Sequence, residues 1–162
     1  MKWTTKLRAK ALKALVASGV DLNLEFGVDD GHPNASIVES AIHEIAHAVV
    51  LGSWYERRRE DFGLKITNEI SSLEETHPQA WIWQEILALA VEILVLRRLK
   101  LPYHRQIVYA NLAKDLVYSE SAFSKLVERA TKTKTTKRRA ERALKLLDQL
   151  CEEGHAQAAK AL

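Results

Sequence analysis

His43, Glu44 and His47 stand in the order His-Glu-Ile-Ala-His, a spacing with which one helix can grip a metal ion. Residues four apart on a helix lie on one face, one turn apart. Both imidazoles can therefore reach a single Zn²⁺ at ~2.0–2.1 Å. Glu44 is rotated about 100° from His43, which sets it beside such an ion rather than on it. From there its carboxylate can take a proton from a zinc-activated water and pass it to a leaving amine. The zinc would polarise a scissile carbonyl and bring the pKa of its water toward ~7. The chemistry this constellation points to is hydrolysis of a peptide bond. The plainer reading, a polar stripe on an amphipathic helix, fits poorly with the neighbours Ile42, Ile45, Ala46, Ala48 and Val49. Polar groups buried among them without partners would cost several kcal/mol.

A catalytic zinc takes three protein ligands and a water, so one ligand remains to be found. Cys151 is the single cysteine, which leaves nitrogen and oxygen donors. Glu92 is the first candidate, because it is the only charge in the apolar run Ile86 to Leu96. Asp115, in Ala113-Lys114-Asp115-Leu116, is the second. Glu85 shares a face with Glu92 but sits near a helix start among Trp81, Trp83 and Gln84, and comes third. His32 and His77 each precede a proline, and with His104 and His155 they read as surface or tail residues. Trp81 and Trp83 read as packing residues that could also line a substrate cleft.

The motif needs a rigid helix, and the sequence marks one. Ser36 followed by Glu39 has the form of a capping box, apolar residues recur through Val49, and Gly52 is placed as a C-terminal stop. Before it, Trp3, Leu7, Ala11 and Leu15 form a helical stripe within Lys2 to Ser18, closed by Gly19. Val20 to Phe26 alternates apolar and polar residues, which predicts a half-buried strand. Phe62, Leu64 and Ile66 alternate as a second short strand. Pro78 opens a long helix over Ala80 to Leu99, stopped before Pro102, and two more helices follow at about 107–130 and 136–151. The expected fold is α+β, mainly helical: a compact zincin-like single domain with a small β element. Its core is expected over about 20–130, with a C-terminal helical extension over about 131–162.

Ile42 to Val50 resembles the active-site helix of the peptidase domain in FtsH-type ATP-dependent proteases. Leu87 to Leu94 is similar to that family's small-residue helix with an Ala-Glu step, and Lys114-Asp115-Leu116 resembles its Asn-Asp-Leu segment. The resemblance implies that His43, His47 and Asp115 bind zinc, that Glu44 is the base, and that Glu92 is a buried partner orienting a ligand histidine. Ala46 stands where that family has glycine, Ala88-Leu89 replaces its glycine-arginine step, and no nucleotide loop is present. A second resemblance, to small zinc peptidases that cleave repressors, implies a third ligand from a glutamate on a following helix, Glu85 or Glu92.

With 162 residues, 47% hydrophobic and 28% charged, the chain has the composition of an ordinary globular domain. A lone cysteine fits a reducing cytoplasm. The basic N-terminus is interrupted by Lys6, Arg8, Lys10 and Lys13, so no secretory h-region is read. The longest apolar run falls short of the ~20 residues of a membrane span. A net charge of +3, concentrated between Lys132 and Arg142, favours a solvated helix face over a nucleic-acid surface. The expectation is a cytoplasmic zinc metallopeptidase acting on protein or peptide, without nucleotide. The alternative is an inactive zinc-site scaffold serving as a binding or regulatory module, against which an intact Glu44 argues.

Overall fold

A computed structural model of the protein describes residues 2–20, 22, 33–52, 64–102 and 120–161, and every element within them is a helix. These are α1 (Thr5–Ala17), α2 (Pro33–Leu51), α3 (Leu64–Thr76), α4 (Pro78–Leu99), α5 (Glu120–Thr131) and α6 (Lys134–Lys160). The α+β expectation is overturned: no strand occurs among the described residues, and the fold is all-α.

One of the two strand expectations fails for an identifiable reason. The first, Val20 to Phe26, lies mostly outside the described residues, at positions 21 and 23–26; at its start the Leu22 N–H donates to the Val20 carbonyl at 3.0 Å. In the second, Leu64 to Thr67 is the first turn of α3. Three alternating residues cannot separate the two periods, but Ile66, Ile70 and Leu73 continue the helical one. Ile66 is buried, and Ile70 and Leu73 pack against the cores.

The helix ends follow local chemistry. Thr4 caps α1 by accepting the Leu7 N–H at 3.2 Å, and Gly19 at φ +102° closes it. α2 begins at Pro33, three residues before the expected Ser36 cap. A first-turn proline loses no intrahelical bond and has its φ already set. Gly52, at φ +133°, ends α2 as expected. α4 starts on Pro78 and ends with Lys100 in the left-handed region, where the Leu101 N–H returns to the Leu96 carbonyl at 2.9 Å. The helix expected from 107 is described only from Glu120. α6 runs well past the expected Cys151 to Lys160.

α4 is the centre of the molecule, packed by α2, α3, α5 and α6. It is long and apolar enough to cross a membrane by length and composition, and 72% of the qualifying window is buried inside the protein. α6 closes the main core with Leu146, Leu147, Leu150 and Cys151. Its Gly154 lies so close to α1 that a Cβ there would collide with the Ala11 carbonyl. Arg142 of α6 donates to the Val49 carbonyl at 3.2 Å, placing a cation at the negative end of the α2 dipole. α2 is thus held against α4 with its histidine face inward.

Candidate metal centre

α2 and α4 cross the site in opposite directions. His43 meets Glu92, 49 positions later, while His47 meets Gln84, 37 positions later. This pairing brings Glu85 between the two histidines. Glu85 Oε1 is 3.4 Å from His47 Nε2, and Oε2 is 4.0 Å from His43 Nε2. The two Nε2 atoms are 3.0 Å apart, with their rings edge to face. One ligand atom from each of His43, His47 and Glu85 falls within 4.8 Å of the others. Donors at ~2.0–2.1 Å around a tetrahedral ion sit ~3.3 Å from one another, and the observed separations bracket that value. These three residues could hold a metal ion.

The far nitrogens of both rings are also occupied. Glu92 Oε2 lies 3.1 Å from His43 Nδ1, and Glu92 is 0% exposed. A fully buried carboxylate there can accept a hydrogen bond from Nδ1–H, the tautomer that turns the Nε2 lone pair to the centre. Gln84 Nε2 lies 3.3 Å from His47 Nδ1 and 3.4 Å from the His47 carbonyl oxygen.

The electrostatics favour a cation here. Burial alone would lower the pKa of His47. The carboxylate of Glu85, through charge and hydrogen bonding, and then Glu44 and Glu92, outweigh it and hold the pKa above its usual 6.5. A buried imidazole held toward its cation by three carboxylates marks a site with surplus negative charge.

One cavity of about 180 Å³ opens on the group. His43, Glu44, His47 and Glu85 form one side, and Ile66, Ile70 and Ser71 of α3 form the other. Glu44 therefore shares a space with the candidate ligands, as its rotation on the helix requires. A larger hollow of about 250 Å³ between α4 and α5, lined by residues such as Ile93, Leu96 and Val127, carries no histidine.

Of the three carboxylates considered from sequence, Glu85 joins the histidines and Glu92 takes the outer nitrogen of His43. Asp115 lies outside the described residues, as do His32 and His104. His77 caps α4 on the surface beside Thr76, and His155 packs edge-on against Trp3. Neither Trp81 nor Trp83 lines the cavity. Gln84 escaped sequence reasoning. Its signal is an amide one position before Glu85, on a helix whose other buried polar residues are Glu85 and Glu92. Cys151 takes no part: burial pushes its thiol up to about 12.

No protein-family model matches the chain, and no curated protein or solved structure matches it, so the side chains themselves carry the case for its chemistry.

Proposed function

We propose that the protein is a zinc-dependent hydrolase of the metallopeptidase type, with His43, His47 and Glu85 as the ligands and Glu44 as general base. The supporting observation is the convergence of two imidazole nitrogens and one carboxylate on a point beside Glu44, in a cavity open to a substrate. Two nitrogen donors and one oxygen suit zinc, and leave a fourth position for water. A glutamate from a following helix agrees with the repressor-cleaving type of zinc peptidase noted above.

Bound zinc supplies Lewis acidity toward the scissile carbonyl and toward the attacking water. The protein's own residues do the rest. Glu44 takes the proton of that water at its carboxylate and returns it to the leaving amine. Glu92 holds His43 in the tautomer that presents Nε2. Ile66 and Ile70 restrict the opposite wall to an apolar group, with Ser71 as the polar contact on that side. The substrate is an unstructured or partly unfolded protein segment.

The test combines metal content with turnover. Mass spectrometry on wild type should find about one zinc per chain, absent from His43→Ala prepared alongside. Wild type should cleave an unfolded labelled protein, and Glu44→Gln should retain zinc while losing hydrolysis by roughly 10²–10⁴-fold. Undiminished hydrolysis by Glu44→Gln would place the base elsewhere. No zinc in wild type would remove the reading altogether.

A further inference from the structure

α6 opens with a run of cations that the fold does not neutralise. Residues 129–145 hold eight lysines and arginines and one acid, Glu141, against a net charge of +3 for the whole chain, so the rest of the chain is net acidic. Sequence alone reads such a run as a solvated face, and the structure adds where it points. Lys134, Lys137, Arg138, Arg142 and Lys145 are all exposed, on the side of α6 opposite the core residues Ala143, Leu147 and Leu150. At a rise of about 1.5 Å per residue they cover about 16 Å of helix. Lys132, also exposed, extends the row into the turn before it.

The charge on this face is in surplus. The side chains of Lys132, Lys134, Lys137, Arg138 and Lys145 make no ion pair or hydrogen bond among the described residues. Lys134 and Lys137 stand in the first turn of α6, which holds no acid, at the end of a helix dipole that favours the opposite sign. Burial, and then the charge of Arg142, hold the Arg139 guanidinium below its usual range. An anion bound here relieves both repulsions.

The same face lacks what other anionic partners use. Interfaces between folded proteins centre on aromatic and apolar anchors and are poor in lysine. The exposed large apolar side chains among the described residues, Leu7 and Trp83, lie on other helices. Adsorption to a bilayer adds an inserted apolar side, and the apolar side of α6 lies in the core. Single strands stack their bases on aromatic rings, and the chain has no Phe, Tyr or Trp after Phe123. A duplex asks only for cations within reach of its phosphates. We infer that the solvent face of α6, from Lys132 to Lys145, binds the sugar–phosphate backbone of duplex nucleic acid without reading its sequence. None of these residues lines the metal cavity, so the two sites stand or fall separately.

Fluorescence anisotropy of the full chain, with labelled random-sequence duplexes of about 20 base pairs titrated across salt, tests this. Five phosphate contacts should make log K for DNA fall with log salt at a slope of about −4.5, a loss of roughly 500-fold between about 50 and 200 mM. Combining Lys134→Ala, Lys137→Ala and Arg138→Ala should weaken binding at least about tenfold and reduce the slope by about three. Alanine is the better helix former and removes the repulsion with the dipole, so this variant should melt no lower than wild type. Its lost binding is then not lost folding. Combining Lys6→Ala, Lys10→Ala and Lys13→Ala, on the exposed face of α1, should leave binding unchanged. DNA and RNA duplexes run side by side separate the two sources of such a backbone, and binding to either supports the assignment. No binding to both at about 50 mM salt, or an α6 variant that binds like wild type, would overturn it. So would an equal loss in the α1 variant, or tighter binding to single strands, poly-glutamate or phosphatidylserine vesicles than to either duplex.

Discussion

Glu92 Oε2 lies 3.1 Å from His43 Nδ1, although 49 residues separate them in sequence and the carboxylate is shut off from solvent. The pair fixes the ring of His43 from behind, on the side away from Glu85. Removing such an outer carboxylate typically lowers metal affinity 10–100-fold. Glu92→Ala should therefore weaken zinc by about that factor while leaving a folded helical protein, as read by chelator competition and circular dichroism. Affinity equal to wild type would mean that the contact does not orient a ligand.

Glu85 and Asp115 make opposing claims on the third position. Glu85→Ala should abolish stoichiometric zinc, and Asp115→Ala should leave about one zinc per chain. The FtsH-type register expects the reverse order. Zinc content of the two variants, measured side by side, decides between them.

Acidity should act on the metal-free and metal-loaded protein in opposite directions. A histidine whose pKa is raised on folding, as His47 is, adds stability that is complete below about 6.5 and is lost as pH rises through the raised folded value. Zinc needs the neutral ring, so its stabilisation is weakest in acid and grows across the same interval. Melting curves with and without zinc, from about pH 5 to 8.5, should show the zinc-induced rise in Tm increasing steadily with pH. A rise independent of pH would argue against His47 as a ligand.

Gly154 tests the scaffold rather than the site. A methyl group there meets the Ala11 backbone carbonyl, which has no rotamer with which to yield. Gly154→Ala should cost about 1–3 kcal/mol by forcing α1 and α6 apart, or roughly 3–10 °C in Tm for a chain of this size. Zinc affinity should be unchanged, because neither helix supplies a ligand. A melt identical to wild type would mean that the two helices can separate freely.

Much of the site was legible because it is local. His43, Glu44 and His47 share one helix, and the helical period alone fixes their relative directions. Gly19, Gly52 and Pro78 marked helix ends for equally local reasons. The choice of third carboxylate was not local: it depends on α4 running against α2 in the register that sets Gln84 opposite His47. Nothing in the spacing of Glu85 and Glu92 distinguishes a ligand from an orienting partner. At Leu64 to Ile66 a helix was misread as a strand because three alternating residues fit either period, and packing onto the neighbouring helices decided α3.

Glu85 and Glu92 both ride on α4, the helix that α2, α3, α5 and α6 enclose. Shifting the backbone that carries either carboxylate by an ångström would mean opening a helix packed on several sides. The amides around them should accordingly exchange with deuterium only through global unfolding. The geometry that receives a cation is then fixed by folding itself, and the only freedom left at the site belongs to the rotors of its side chains.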